Sequence, residues 1–400
     1  MDNDTREHRE LAEACARPIK LDLGAGPVSP AGFTPMGADH GSAIFPLDYP
    51  DDSVDEIRAS HVLEHFPHRQ VIDVLREWVR VLRPGGRMRI AVPDLLVISQ
   101  KYIAGEPINV QGYLMGGQID ANDFHKCAFD EEALGEVMAA AGLLLIRRWT
   151  SELEDAAALP ISLNLEGRKS IGPKPKIHAV MSAPRLGFMD NFVSVIEGLV
   201  PLGIPFNRVT GSNWGQCLTR GMESALEDPN LDLVLTLDYD TVFKSVDLVN
   251  LIQTIMVYPE VDALAPVQSS RGNSRPLLGM TLEGEATTRV PYSTFAGDVT
   301  EIATAHFGLT LLRARKLREL PRPWLHHVPD PDGGWNDGRV DDDIAFWHKW
   351  KQAGNRLFLA NRIPVGHAEL VVLWPGKDLS AIYQPMRDYH RVGKPPEAWS

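Results

Sequence analysis

The sequence predicts an α/β protein built from two domains, and three observations support this fold class. The chain has 400 residues, which is more than one ordinary hydrophobic core can hold. Two apolar segments, residues 19–23 and 176–181, each run directly into a turn of small residues, as at the start of an α/β unit. Segments with strand and helix periodicity then alternate along the chain, which indicates mostly parallel sheets.

A stretch low in apolar residues separates the two patterns. Residues 165–176 contain two prolines, two glycines and several basic residues, a composition typical of a linker. We therefore expect a first domain at residues 1–160, with its core at 18–150. The linker is then expected at residues 161–175 and the second domain at 176–400.

The periodicities also locate the main elements of each domain. In the first domain we expect strands at residues 53–60 and 87–92, and a helix at 69–82 that Arg83-Pro84-Gly85-Gly86 ends. In the second domain we expect helices at 191–199, 216–226, 248–257 and 343–353, and strands at 231–237, 263–267, 304–312 and 357–360.

Composition excludes several classes of protein. A hydrophobic fraction of 44% and a charged fraction of 23% are globular values. The formal charge of -13 disfavours nucleic acid as a partner, because tight sequence-independent binding needs a broad basic face. Three scattered cysteines form neither a disulfide framework nor a zinc knuckle, which favours a cytoplasmic location. The charged first ten residues argue against a signal peptide, and no apolar run approaches the about 18 residues of a membrane helix.

The first domain carries an ordered series of short motifs. Asp22-Leu23-Gly24-Ala25-Gly26 follows a strand, and its small residues let the backbone approach a ligand closely. Asp39, about one strand later, is placed to accept hydrogen bonds from ribose hydroxyls. The ordinary alternative is that Gly24 and Gly26 are present only because a tight turn needs glycine. Three further segments follow at short spacing: PLDYPDDSVDEI at 46–57, HVLEHF at 61–66 and VLRPGG at 81–86.

This series resembles the class I S-adenosylmethionine-dependent methyltransferases over residues 18–150. The resemblance implies a Rossmann-like fold and S-adenosylmethionine as the cofactor. The cofactor-binding residues that it implies are Asp22 at the start of the glycine turn, Gly24 and Gly26 at the methionine end, Asp39 at the ribose, Asp48 near the adenine and His61 near the transfer site.

One segment departs from that family. Residues 27–33 contain two prolines and are too short and broken for the helix that follows the glycine turn in most members. Two interpretations therefore stay open for the first domain, an active methyltransferase and a degenerate domain with a structural or regulatory role. His65 and His68 are expected to be surface residues, and no role is assigned to His125 or Cys127.

In the second domain, an apolar strand ends in Asp238-Tyr239-Asp240. Side chains alternate along an extended chain, so the two aspartates leave the same face. Two close carboxylates repel each other, and a Mg²⁺ or Mn²⁺ ion that also binds substrate phosphates removes that conflict. The ordinary alternative is a pair of solvated aspartates in a turn.

Further polar groups follow the strands of this domain. A loop at Ser182-Ala183-Pro184-Arg185 can wrap a nucleotide base, with Arg185 near phosphate. The turn His306-Phe307-Gly308 can let a sugar approach the backbone. Asp341-Asp342-Asp343 opens a helix, where acidic residues also favour the helix dipole, and His367 follows the last strand.

This set resembles the GT-A fold, nucleotide-sugar-dependent glycosyltransferases of the family 2 type, over residues 176–375. The resemblance implies metal ligation by Asp240 and His367, with Asp238 at the metal or the ribose. It implies Asp343 as the catalytic base, with Asp342 beside it, and inversion at the anomeric carbon. The candidate donor-binding residues are Ser182, Pro184, Arg185, Arg220, Asp238 and Gly308.

The functional hypothesis is a metal-dependent, hexosyltransferase-like enzyme that moves a sugar from a nucleotide-diphosphate donor to an acceptor hydroxyl of a glycan or other polymer. The fused methyltransferase-like domain would methylate the same product. Two alternatives remain: a catalytically inactive binding or scaffold protein, and a phage-type enzyme that glycosylates modified bases in DNA. Trp324, Trp335 and Trp347 are candidates for sugar stacking or for ordinary packing, and residues 328–340 for an acceptor loop.

Overall fold

The structure is a computed structural model that describes residues 18–183, 187–270, 279–336 and 339–399. The chain divides into two compact units, Met1–Pro173 and Lys174–Ser400. Both units are mixed α/β structures, so the predicted fold class is confirmed. Among the described residues, no helix is both long and apolar enough to cross a membrane.

The first unit contains a six-stranded sheet with the order β2-β1-β3-β4-β6-β5. Its strands are β1 (Lys20–Leu23), β2 (Thr34–Met36), β3 (Val54–Ser60), β4 (Leu82–Pro93), β5 (Leu143–Arg148) and β6 (Ser162–Lys169). Its helices are α1 (Val71–Val81), α2 (Leu95–Ile103), α3 (Val110–Met115) and α4 (Glu131–Ala140).

The parallel part of this sheet consists of β1 to β4, and β6 runs antiparallel to both of its neighbours. Strand order reverses at β1, which has β2 on one side and β3 on the other. In open α/β sheets of this Rossmann-like kind, ligands bind outside the carboxyl ends of the strands at such a reversal. Residues 24–33, between β1 and β2, form no helix, as the sequence predicts.

The predicted linker at residues 161–175 is wrong over most of its length. Ser162–Lys169 forms β6, which lies in the sheet between β4 and β5. Leu163 and Leu165 alternate with polar residues and are buried, so this segment has the period of a half-buried strand. The prolines and glycines on which the linker prediction depended lie mainly after residue 169.

The second unit is built around a nine-stranded sheet whose main order is β12-β13-β15-β11-β14-β9-β7-β8, with β10 paired to β15. The strands are β7 (Ile177–Ser182), β8 (Phe206–Val209), β9 (Leu233–Asp238), β10 (Thr241–Val242), β11 (Ala263–Gln268), β12 (Gly279–Thr281), β13 (Val299–Ala305), β14 (Leu309–Arg313) and β15 (Leu357–His367). The helices are α5 (Met189–Leu199), α6 (Trp214–Ala225), α7 (Ser245–Val257), α8 (Ala314–Glu319) and α9 (Asp342–Gln352).

Among the described strands of this sheet, six point the same way, namely β7, β8, β9, β11, β12 and β15. Their carboxyl ends therefore meet at one edge, together with the start of the antiparallel β14. Buried apolar residues form a cluster on each face of the sheet. The single strand predicted at residues 304–312 is instead the end of β13 and the start of β14, with a turn at His306–Gly308 between them.

The chain ends in a small antiparallel hairpin and a helix. The hairpin strands are β16 (Val371–Pro375) and β17 (Ala381–Pro385), and the helix is α10 (Met386–Val392). Trp374 donates a hydrogen bond from Nε1 to Gln384 Oε1 at 2.8 Å, which ties the two hairpin strands together.

Candidate functional site

The structure brings Asp240 and His367 together at the carboxyl edge of the second unit. The side chains are close because β10 pairs with the end of β15, where Thr241 lies opposite His367. Asp240 is 1% exposed, and its Oδ2 lies 3.5 Å from His367 Nε2. A buried carboxylate and an imidazole nitrogen at this distance are suited to share a cation.

A second contact of the His367 ring, made by Nδ1, indicates which ring nitrogen carries the proton. Nδ1 lies 2.9 Å from the carbonyl oxygen of Ser269, which can only accept a hydrogen bond. In the neutral ring Nδ1 therefore carries the proton, and Nε2 presents a lone pair toward Asp240. This carbonyl contact resembles the outer hydrogen bond that orients metal-binding histidines in proteins.

Asp238 is linked to the start of α6. Its Oδ1 accepts a hydrogen bond from Trp214 Nε1 at 2.9 Å. Asn213 caps α6 by accepting from the Gln216 amide, and the Ser182 hydroxyl donates to the Trp214 carbonyl at 3.2 Å. Ser182 thus positions Trp214. Sequence reasoning missed Trp214, although Asn213 is an N-cap signal that could have indicated a helix start there.

The same helix start contacts the acidic residues of α9. A Cβ added to Gly215 would lie 2.3 Å from Asp342 Oδ2, so any larger residue here would displace the Asp342 carboxylate. Burial raises the pKa of Asp342, an effect that His327 opposes with its Nε2 at 3.7 Å from Asp342 Oδ2. Burial also raises the pKa of Asp343. Carboxylates with raised pKa values are suited to accept protons near neutral pH.

Gly308 is buried, and its glycine is explained by contacts within the protein. A Cβ there would lie 2.5 Å from Thr241 Oγ1 and 3.1 Å from Gln268 Nε2. The Gly308 amide donates to His306 Nδ1, and burial lowers the pKa of His306 to about 4, so this ring stays neutral at pH 7. We therefore regard Gly308 as supporting the site rather than opening it to a sugar.

The remaining predicted residues of this site are less informative. Pro184 and Arg185 lie outside the described residues. Arg220 is on α6 with an exposed side chain. Trp324 and Trp347 are buried in the core, which favours packing over sugar stacking, whereas Trp335 is 60% exposed and packs edge-to-face against His327.

Two cavities of the second unit adjoin Tyr239, the residue between Asp238 and Asp240. One is about 670 Å³ and is bordered by Phe188, Glu369 and Arg387. The other is about 540 Å³ and is lined by Phe188 and further apolar residues of β7, β8 and α5. Both have the size of small-molecule sites, and both reach the loop that carries the two aspartates at Tyr239.

A separate cavity of about 670 Å³ lies at the strand ends of the first unit. Gly24, Asp39 and His61, from the ends of β1, β2 and β3, all line it. Gly24 has a φ of 66°, and a Cβ there would lie 2.2 Å from Val62 Cγ2. Glycine is therefore required at the turn where β1 and β3 meet the cavity.

The other three predicted cofactor residues do not line this cavity. Asp22 is buried and accepts hydrogen bonds from Arg58 Nη1 at 2.9 Å and from the Ser29 hydroxyl, while Arg58 also pairs with Asp155. Its role is therefore to hold β1 and β3 together. Gly26 and Asp48 are exposed.

Comparison with known proteins finds a family match within the first unit. Residues 6–90 match a family model described as a methyltransferase domain. The match supports S-adenosylmethionine as the cofactor expected for this methyltransferase-like unit. It covers less than a quarter of the chain and does not extend to the second unit. A search of curated proteins finds no match.

Three similar solved structures share little sequence identity with this chain. A197 from STIV is 15% identical and covers 52% of this chain and 94% of its own, with a TM-score of 0.35. A SAM-dependent methyltransferase from Archaeoglobus fulgidus is 14% identical and covers 41% and 92%, with a TM-score of 0.26. GalNAc-T7 with UDP, GalNAc and Mn²⁺ is 13% identical and covers 48% and 44%, with a TM-score of 0.32. These likenesses are too weak to support an inference about activity.

Proposed function

We propose that the second unit is a metal-dependent glycosyltransferase that moves a sugar from a nucleotide-diphosphate donor to an acceptor hydroxyl. The contact of Asp240 with His367, at an edge where parallel strands end, is the observation that carries this proposal. Asp238 and Asp342 approach the same helix start, at Trp214 and Gly215 respectively. The aspartate at the donor side and the acidic helix start at the acceptor side of a single displacement thus both adjoin the start of α6.

The Asp240 carboxylate and the His367 imidazole are ligands that fit Mn²⁺ or Mg²⁺. Asp240 and His367 would hold the ion, and Asp238 would bind it or the donor ribose. When bound, such an ion neutralises the charge that develops on the leaving diphosphate. The two residues are already oriented in the protein, since Ser269 fixes the His367 ring and the chain buries Asp240.

On the acceptor side, Asp343 is the proposed general base and Asp342 its neighbour at the start of α9. Asp343 would take the proton from the acceptor hydroxyl as the new bond to the anomeric carbon forms. His327 adjoins Asp342, and the exposed Trp335 packs against His327, so both rings are candidates to contact an acceptor sugar. A single side-chain base on the acceptor predicts inversion of anomeric configuration.

The direct test is a thermal-shift screen of the full chain with a panel of nucleotide-sugars, with and without Mn²⁺. We expect one donor to raise the unfolding temperature only when metal is present, because binding to the native state alone stabilises it. That donor should then be cleaved, and NMR of the product should show inverted configuration. Retention would contradict the assignment of Asp343.

Two results would favour other functions. Donor binding without any turnover, over a wide acceptor panel, would support a non-catalytic binding protein. Turnover that requires DNA with modified bases, and that falls steeply as salt is raised, would support a nucleic-acid acceptor. Transfer to a glycan or another polymer is the result that we expect.

The first unit has a second proposed activity, methyl transfer from S-adenosylmethionine. The cavity at the strand reversal supports it, because Gly24, Asp39 and His61 converge there from three strands. Asp39 would accept hydrogen bonds from the cofactor ribose, and His61 would face the methyl acceptor. The proposed methyl acceptor is the glycan or polymer on which the second unit acts.

Substitution of Gly24 tests this cavity. We expect Gly24→Ala to weaken S-adenosylmethionine binding at least about tenfold and to destabilise the protein by about 1–3 kcal/mol, because the new methyl group meets Val62 at a positive φ. Gly172→Ala is the matched control, since this glycine is exposed, does not line the cavity and has nothing within 4 Å of its Cβ position. Calorimetric titration and thermal unfolding measure both effects.

If Gly24→Ala fails to fold, Asp39→Asn takes its place, with binding again measured by titration. Native affinity in Asp39→Asn together with equal affinity in both glycine variants would contradict cofactor binding in this cavity.

A further inference from the structure

Three potential metal ligands converge beside the cavity of the first unit. Glu64, His65 and His125 each offer a ligand atom, and these atoms all lie within 4.8 Å of one another. Glu64 and His65 belong to a single 3-10 turn, Leu63–His65, whereas His125 comes from the segment between α3 and α4. The two imidazole rings are 4.9 Å apart at 81°.

Glu64 makes this cluster different from an ordinary group of surface residues. Its side chain is 0% exposed, and neither carboxylate oxygen has a hydrogen-bond partner among the described residues. The nearest group that can carry a positive charge is His61, with Nδ1 3.2 Å from Glu64 Oε1. A fully buried carboxylate with a single imidazole beside it is costly, so an additional cation would stabilise it.

Both imidazoles have a nitrogen available for a metal. His125 Nδ1 lies 3.0 Å from the Tyr113 carbonyl, so in the neutral ring this nitrogen holds the proton and Nε2 has a free lone pair. His65 Nδ1 is buried and has no hydrogen-bond partner within the described parts of the chain. Glu64, His65 and His125 therefore each offer a lone pair toward the others. Hydrogen bonds among the three side chains do not satisfy these lone pairs.

We propose that Glu64, His65 and His125 bind a divalent transition-metal ion. Two imidazoles and one carboxylate form the donor set of catalytic zinc sites and of non-haem Fe²⁺ sites, in which further positions stay open for water or substrate. His65 also lines the cavity that contains Gly24 and Asp39, so a ligand in the cavity can reach the ion. His61 is a positioning residue, which holds the Glu64 carboxylate.

The site adjoins the cavity proposed for the cofactor of the first unit, but its metal binding can be measured without either proposed activity. It shares no residue with the metal site proposed for the second unit, and metal binding here requires neither methyl transfer nor glycosyl transfer. The sequence does not indicate it, because His125 is far from Glu64 along the chain and the spacing matches no common metal motif.

The test uses the full chain carrying Asp240→Asn and His367→Ala, which removes the other proposed site. After treatment with a chelator, the protein is titrated with Zn²⁺, with Co²⁺ and, without oxygen, with Fe²⁺. We expect one ion per chain, and for Co²⁺ the visible absorption of a site with nitrogen and oxygen ligands. Preference for Zn²⁺ or for Fe²⁺ distinguishes the two classes of site, and either supports the proposal.

Variants identify the ligands. We expect His125→Ala and Glu64→Gln each to weaken binding at least about 100-fold, and His61→Ala about tenfold, as for an outer-shell partner. His68→Ala, an exposed histidine three residues after His65, is the control and should bind like the parent protein. Glu64→Gln should also raise the unfolding temperature of the metal-free protein, because it removes a buried charge.

The proposal is overturned if the parent protein binds no transition metal, or if His125→Ala and Glu64→Gln keep its stoichiometry and Co²⁺ spectrum. If His125→Ala does not fold, His125→Gln replaces it in the same titration. A loss of stability in His125→Gln with unchanged metal binding would assign the histidine a structural role only.

Discussion

Replacing Asp240 with asparagine is expected to lower metal-dependent cleavage of the nucleotide-sugar donor by about 100-fold or more. Asparagine keeps the shape of the side chain but lacks the charge that, with His367, would hold the ion. Loss of an outer-shell partner alone typically costs about 10- to 100-fold in metal affinity. The measurement is the initial rate of donor cleavage as a function of Mn²⁺ concentration.

Glu227→Gln provides the matched control for that experiment. Glu227 is an exposed acidic residue just after α6, the helix whose other end contacts Asp238. It removes the same charge and should leave the rate unchanged. Thermal unfolding of both variants shows whether Asp240→Asn remains folded. Equal turnover by the parent protein and a folded Asp240→Asn variant would rule out the glycosyltransferase proposal.

The features of the second unit that could be predicted are those with a local pattern in the sequence. Strand β9 is an apolar run, and the aspartates at its end are visible in the sequence at once. The contact of Asp240 with His367 is different, because it depends on the pairing of β10 with β15 from the other end of the unit. The sequence order of the motifs suggested this meeting only through the family resemblance.

Contacts between distant segments were not predictable in the same way. Trp214 donates to Asp238, but tryptophan at a helix start is also common as a packing residue, so its partner could not be inferred. Gly308 illustrates the same limit. A glycine in a turn suggests access for a ligand, but its contacts with Thr241 and Gln268, which come from other strands, could not be inferred from the sequence.

In the first unit, too, local sequence patterns predict some elements, whereas contacts between distant segments decide others. Helix α1 follows from periodicity, because its buried residues repeat at helical spacing. Strand β3 is buried over most of its length, so its burial shows no alternation. Strand β6 was mistaken for linker, since its position between β4 and β5 is a long-range property. His125 has no local signal at all, and only the fold brings it to Glu64.

Replacing Asp343 with asparagine is expected to lower kcat by about 10²- to 10⁴-fold, the usual contribution of a general base. The amide keeps an oxygen that can accept the hydrogen bond now made by the Ile344 amide at 2.8 Å, so α9 should still form. Donor binding with metal, measured by thermal shift, should change little, which separates this effect from that of Asp240→Asn.

The pH dependence of the rate tests which aspartate, Asp343 or Asp342, is the general base. Burial raises the pKa of Asp343, and a base acts only when deprotonated, so the rate should fall as pH drops through that raised pKa. The fall should therefore begin at a higher pH than for a solvent-exposed aspartate. Asp343→Asn should lose this acid limb, whereas Asp342→Asn should keep it at a lower rate. If Asp342→Asn loses the limb and Asp343→Asn keeps it, Asp342 is the base, because the surplus aspartate at this helix start allows either residue to face the acceptor.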